Sequence, residues 1–376
     1  MASGDKKKRR KRSSAVMLLS GLFGLLILAG IAVGGAVIYG LHLFYEAGPT
    51  ETEQPFLVER GTNLTAVTGD MVSQGFTQDG TLQPLVFRVA IELLDAKKRK
   101  LLPGQYTIPP HASMSDLINV VTETKPQEFF VNVVPGETSW QVAQALNDPA
   151  LNLTGDPIQP PLEGTLLAVR HDFFPRDTRQ KVLANMQKAM TDKVAAIWAD
   201  HDPAIDDVIK SPAQLVTMAS LVEKETGLDT ERPDVASVFV NRLRKHMRLQ
   251  TDPSVMYGLT LGHDKLDRKL STADLKAKTP YNTYQIDGLP PGPIANPGED
   301  ALNAVAHPSK TSYLYFVAKS ADPSDGHYFS SNYADHKKNV ARYRTAVTVD
   351  ESEQAKEALE AEQAKDAGDT TGDTAQ

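Results

Sequence analysis

From Ser13 to Tyr45 the chain carries no Asp, Glu, Lys or Arg, and the seven residues before that stretch, Lys6 to Arg12, are all basic. An uncharged apolar run longer than the ~20 residues that cross a bilayer can satisfy its backbone in lipid only as a helix. The basic run sets its direction, because positive residues are retained on the cytoplasmic side. The sequence therefore predicts a basic cytoplasmic segment over 1–14, one transmembrane helix over 15–45, and all later residues outside the cytoplasm. A cleaved signal peptide is the competing reading, but the apolar part is longer than an ordinary signal-peptide core.

Beyond Tyr45 the composition is that of an ordinary globular protein ending in an acidic tail. No cysteine is present, which excludes a disulfide framework, a thiolate metal site and a cysteine nucleophile. Lys and Arg number 40 against 47 Asp and Glu, and seven of the basic residues belong to the cytoplasmic run. The external part is thus mildly acidic, which argues against a nucleic-acid partner and suits a neutral or zwitterionic polymer. Its length suggests two domains.

A short pattern of strand, Gly or Pro turn, hydroxyl residue and helix occurs three times, around Phe56–Thr62, Tyr106–Ser113 and Val131–Ser139. Helices are expected to begin near Leu64, Met114 and Trp140, each capped by the hydroxyl residue before it. Such units resemble the LysM type of glycan-binding module, with a purely structural connector as the alternative. The Pro- and Asn-rich stretch Asn147 to Pro161 reads as the link to a second domain. There, Thr178 to Ala199 is a long amphipathic helix, and Thr230 or Asp229 is placed to cap a helix striped by Val235, Val238, Phe239 and Leu243. Gln250 to Gly298 reads as loop, punctuated by Asp252-Pro253, Thr279-Pro280 and Asn296-Pro297-Gly298. The expected fold class is α+β: one membrane helix, a small LysM-like module over 50–146, a larger mixed catalytic domain over 147–348, and an acidic disordered tail over 349–376.

The chemistry centres on Leu215 to Gly227. Leu215, Met218, Ala219 and Val222 form one helical stripe that ends in Glu223 and Glu225, with Gly227 as the expected stop. A carboxyl at a helix C-terminus faces the negative end of the dipole, and partial burial also disfavours its charge. Both effects raise its pKa and equip it to protonate a leaving oxygen near neutral pH. A solvated Glu-Lys-Glu face is the bland alternative. Further on, Arg248 to Ser254 groups a guanidinium, an amide and a carboxylate. Tyr281-Asn282-Thr283-Tyr284 alternates rings with hydrogen-bonding groups, which suits a sugar, although the two tyrosines can equally fill core and Asn282 cap a turn. The histidines His263, His307, His327 and His336 show no metal-ligand spacing, so neither metal nor cofactor is expected.

Met218–Thr226, Val235–Leu243, Arg248–Pro253, Tyr281–Tyr284, Gly288–Ile294 and Ala306-His307-Pro308, in that order, resemble the endolytic murein transglycosylases of the YceG-like family. The resemblance covers almost the whole chain. It implies a single anchor in the bacterial inner membrane, a LysM-like module, and a periplasmic or extracytoplasmic domain that cuts nascent peptidoglycan strands internally, with peptidoglycan synthases as possible partners. It maps the catalytic glutamate onto Glu225, and leaves Glu223, Gln250, Tyr281, Asn282 and Tyr284 to hold sugar or orient the acid. The chain keeps Glu163, Gly164, Leu166 and Leu167 but then reads Ala168-Val169-Arg170-His171 where the family commonly has Pro-Asp-Thr-Tyr. A hydrolytic muramidase, with Asp252 or Glu223 activating water, and a non-catalytic wall-binding anchor stand as rivals.

Overall fold

The computed structural model describes residues 5–78, 80–94, 98–263 and 266–348. The acidic tail expected over 349–376 and residues 1–4 of the basic segment lie outside the described residues. The chain divides into two compact units, Met1–Phe129 and Phe130–Gln376.

In the first unit, α1 (Asp5–Tyr45) runs through the whole uncharged stretch, and Val16–Tyr45 within it is long and apolar enough to cross a membrane. Its apolar side chains, Met17, Leu22, Ile31 and Val37 among them, stand exposed, as a lipid-facing helix requires. Two strands, β1 (Gln54–Val58) and β2 (Gly104–Ile108), pair antiparallel with Phe56 opposite Tyr106. Their alternate residues Phe56, Val58, Tyr106 and Ile108 point inward and are covered by α2 (Leu64–Ser73), α3 (Gln83–Leu93) and α4 (Met114–Glu123) through Val67, Met71, Phe87, Ile91, Leu117 and Ile118. Gly104 is obligatory where β2 starts. Its φ is +150°, and a Cβ there would fall 2.4 Å from that of Pro126. Helix α4 has the expected cap: Ser113 and Asp116 exchange side-chain and backbone bonds. At α2 the cap is Asn63 and not Thr62, whose hydroxyl turns back to the Glu59 carbonyl.

The third strand-turn-helix copy does not complete this module. Its strand β3 (Phe129–Asn132) pairs with β4 (Arg170–Phe173), and its helix α5 (Ser139–Asn147), capped by Thr138, belongs to the second unit. The expected link at Asn147 to Pro161 is likewise internal to that unit, because the Asn147 amide both donates to and accepts from the Ile158 backbone.

The second unit is built on α7 (Pro212–Glu225). The sequence suggested a one-sided stripe, but every residue from Leu215 to Val222 is buried, which makes α7 the central helix. Around it lie α6 (Arg179–Ala199), α8 (Arg232–Arg244) and α11 (Glu299–Ala306), whose Met190, Val194, Val235, Phe239, Leu302 and Val305 share its core. Neither Thr230 nor Asp229 caps α8: the N-cap is Glu231, with no side-chain bond, and Asp229 instead pairs with Arg232. Gln250 to Gly298 holds two helices that were not expected, α9 (Asp252–Thr260) and α10 (Thr272–Lys276). Asp252-Pro253 is the first turn of α9, where an acidic residue and a proline both favour helix. An antiparallel pair, β5 (Tyr315–Ala318) and β6 (His327–Ser330), precedes α12 (333–348).

Candidate active site

Helix α7 ends at Glu225 because Thr226 takes an extended conformation, φ −143° and ψ 136°. The expected glycine stop is not used, and Gly227 is not left-handed. Glu225 therefore sits in the last turn of the helix, half-buried. Enclosure of its carboxyl pushes the pKa to about 7. The Thr251 hydroxyl beside it pulls in the other direction. Asp252 raises the pKa further by like-charge repulsion, and Arg242 lowers it.

These neighbours are fixed by backbone. Arg242, on the last turn of α8, is 9% exposed and donates from Nε to the Leu314 carbonyl (2.7 Å) and from Nη1 to the Leu249 (2.7 Å) and Arg248 (3.2 Å) carbonyls. Beside it, the Asn241 amide donates to the Thr311 and Tyr313 carbonyls, so α8 holds the chain leading into β5. The segment 249–254 is clamped to 282–284. Thr251 N–H donates to the Thr283 hydroxyl (2.9 Å), Ser254 Oγ lies 2.8 Å from the same hydroxyl, and Gln250 N–H donates to the Thr283 carbonyl (3.2 Å). Arg248 closes the clamp from outside through the Tyr284 carbonyl and Asp287.

The sequence-derived residues separate on this frame. Tyr284 lies at the acid: its hydroxyl donates to Asp252 at 2.6 Å, and its pKa is raised by burial and by Asp252, with smaller effects from Glu225 and Arg242. Gln250 is exposed on the same segment, in a left-handed conformation at φ +54°. Asn282 is not available to a sugar. It is fully buried, donates to the Asp274, Leu275 and Ala277 carbonyls, and accepts from Tyr284 N–H. Its amide ties α10 to the 281–284 turn. Glu223 is also occupied, by Arg232 (3.2 Å) and the Gly298 N–H (2.9 Å), with its side chain 5% exposed. The like charge bearing on Glu225 is Asp252, not Glu223.

Tyr281 faces elsewhere. It packs edge-to-face on Tyr257 (4.8 Å) near Glu163, at a cleft of about 850 Å³ lined by α6 and the start of α7, and Glu225 does not line that cleft. Glu163 accepts from the Ser139 N–H (2.7 Å), and burial raises its pKa. The divergent Ala168–His171 stretch is built into the β3–β4 pairing. Val169 accepts from the Val133 N–H, Arg170 lies over the Phe130 ring at 3.9 Å, and His171 bonds the Leu167 carbonyl.

Arg242 and Thr251 were missed as site residues. Arg242 was signalled only by a basic residue one position from a core stripe, and Thr251 by its place just before an Asp-Pro helix start. An acid with pKa about 7, a second carboxylate held by a tyrosine, and a buried guanidinium make a site suited to proton transfer.

The sequence matches the profile described as the YceG-like family over residues 56–342. A protein of Bacillus subtilis (strain 168) named endolytic murein transglycosylase is 42% identical over 163 residues, 43% of each chain. One of the same name from Streptococcus pneumoniae serotype 2 is 30% identical over 254 residues, 64% of this chain and 44% of that protein. The chain thus spans less than half the length of these curated relatives. A crystal structure of a YceG-like protein from Listeria monocytogenes aligns with 26% identity over 76% of this chain and 98% of the other, at TM-score 0.47. With the profile matched over most of its length, from β1 to α12, the chain belongs to the YceG-like family.

Proposed function

We propose that this protein is a membrane-anchored endolytic lytic transglycosylase that cleaves peptidoglycan glycan strands between N-acetylmuramic acid and N-acetylglucosamine. The observation that carries the reading is the Glu225 carboxyl, enclosed at the end of α7 with its pKa pushed to about 7. Similarity to proteins named endolytic murein transglycosylases supports the substrate class. In the proposed cycle Glu225 enters protonated and gives its proton to the glycosidic oxygen as the bond to C1 breaks. The C6 hydroxyl of the same muramic acid attacks C1, and the Glu225 carboxylate takes the hydroxyl proton. The acid is regenerated and the new end is 1,6-anhydromuramic acid. The nucleophile is intramolecular, so neither water nor a second catalytic carboxylate takes part. Tyr284, Gln250 and Arg242 line the position of the sugar.

The helix Val16–Tyr45 would hold the catalytic unit on the outer face of the inner membrane, with Lys6 to Arg12 in the cytoplasm. There it meets strands as they are made and can end their elongation beside the synthases that extend them. One observation favours a second reading, hydrolysis: Asp252 is exposed and close enough to Glu225 to repel its charge, as a water-activating base would be. Glu223, tied to Arg232 and Gly298, is not free for that task. Mass analysis of the products of purified protein on uncross-linked strands decides between them. Anhydro ends support the transglycosylase, reducing ends the muramidase, and no cleavage leaves a wall-binding anchor.

A further inference from the structure

Three flat rings gather on the surface next to Arg242. Tyr315 opens β5, with its ring centroid 5.0 Å from that of His336 on α12 and the two planes 21° apart. Tyr333, at the start of α12, stands 5.9 Å from Tyr315 and 6.2 Å from His336. None of the three belongs to the apolar core of the unit, and Tyr333 is 59% exposed. A single exposed tyrosine needs no explanation. Here the group is joined to the acid through one side chain. The Arg242 guanidinium lies 5.3 Å from the Tyr315 centroid and acts electrostatically on both His336 and Glu225. Its Nε and Nη1 are committed to backbone carbonyls, whereas Nη2 donates to no group among the described residues. His336 Nδ1 is buried without a partner, and burial, with Arg242 beside it, favours the neutral ring. Tyr315 and His336 lie roughly face to face and Arg242 lies over Tyr315, so the exposed ring of the three is Tyr333, tilted 52° from Tyr315, with the flexible Lys337 ammonium 5.4 Å from its centroid.

We propose that Tyr333, with Tyr315 and His336 beside it, is a stacking platform for one pyranose ring of a β-1,4-linked N-acetylated glycan, adjoining Glu225 across Arg242, whose Nη2 donates to an oxygen of that sugar. The proposal rests on the function given above, and adds to it a subsite supplied by β5 and α12. A pyranose offers one face of C–H bonds, which pack on the electron-rich face of an aromatic ring, and a rim of hydroxyl and amide groups that need donors and acceptors. A nucleobase would also stack, but a polyanion is disfavoured by a chain with formal net charge −7.

The test uses the full-length chain. Binding of chitohexaose, a β-1,4-linked N-acetylglucosamine oligomer, is measured by calorimetry in the Glu225→Gln protein with and without Tyr333→Ala or Tyr333→Phe. Turnover on uncross-linked strands is measured with Glu225 intact. Tyr333→Ala should weaken binding roughly 10-fold and raise KM by a similar factor, leaving kcat and the pH profile in place, while Tyr333→Phe keeps the affinity. Unchanged binding and KM in Tyr333→Ala would overturn the platform, and so would a Tyr333→Phe protein as weak as Tyr333→Ala, since the hydroxyl and not the ring face would then matter. The two readings fail separately. A protein that makes no anhydro ends but binds chitohexaose through Tyr333 loses the reaction and keeps the subsite. One that makes anhydro ends indifferent to Tyr333 keeps the reaction and loses the subsite.

Discussion

Tyr284 donates its hydroxyl to Asp252 at 2.6 Å, and Asp252 in turn is the negative charge that helps keep Glu225 protonated. The acid is therefore tuned by residues from the 250s and 280s, brought together by the Thr251–Thr283–Ser254 clamp. The glutamate two positions away on its own helix does not tune it.

Glu225→Gln should abolish anhydro release, by roughly 10²–10⁴-fold if proton donation alone is lost, and should also stabilise the protein in alkali. The folded pKa of about 7 lies above the ordinary 4.5, so the protonated acid is favoured by folding. That contribution is full below about pH 4.5 and is lost as pH rises through 7, a difference on the order of 3 kcal/mol. Glutamine has no proton to lose. Denaturant midpoints of the two proteins should agree near about pH 4 and separate by about pH 8, with the variant the more stable. A wild type equally stable at both pH values, measured against the variant, would mean that Glu225 titrates as an ordinary carboxylate.

Asn282→Ala should cost stability and not only substrate affinity. It removes the amide whose two N–H are shared among the Asp274, Leu275 and Ala277 carbonyls and whose oxygen accepts from the Tyr284 N–H, and leaving a buried group of this kind unpaired costs about 1–3 kcal/mol before relaxation. A shift in urea midpoint with unchanged m-value is the expected result. A variant as stable as wild type but with raised KM would restore Asn282 to the sugar.

Glu223→Ala should likewise unfold more easily, because it leaves the Gly298 N–H without its acceptor and takes from the buried Arg232 one of two carboxylate partners, the exposed Asp229 remaining. Breaking a buried ion pair from one side typically costs about 3–5 kcal/mol, and the remaining Asp229 contact keeps the loss below that. The alkaline limb of the rate profile, read on the fraction that stays folded at low temperature, should not move. Movement of that limb would show that the two glutamates communicate after all.

The apolar N-terminal helix, α6, α7 and the carboxyl at the end of α7 were legible because each follows from local pattern: an uncharged run, a 3.6-residue stripe, a carboxyl at a helix end. Asp252-Pro253 was read as a break because proline punctuates loops as readily as it starts helices, and only the next residues, Ser254 and Val255, buried in the fold, decide for α9. Burial of Asn282 and pairing of Glu223 depend on partners 5 to 75 residues distant, to which sequence spacing is blind. For the same reason the third strand-turn-helix copy looked like part of the small module until β4 gave its strand a partner.

Two substitutions on opposite sides of Glu225 should move its titration in opposite directions. Asp252→Asn removes the repelling charge, so the carboxyl ionises more readily and the falling alkaline limb of kcat/KM should shift to lower pH. Arg242→Gln removes the attracting charge and should shift that limb to higher pH. The second change also frees the Leu314, Leu249 and Arg248 carbonyls, so its profile is taken on protein shown by circular dichroism to be folded. Arg242→Lys separates the two roles: it keeps a positive charge near the acid but cannot reproduce the fork that grips three carbonyls. It should be less stable than wild type with the limb nearly in place. If Asp252→Asn and Arg242→Gln moved the limb in the same direction, or neither moved it, the proton lost on the alkaline side would not be that of Glu225, and the acid would have to be sought elsewhere in the second unit, beginning with Glu163, whose pKa burial also raises.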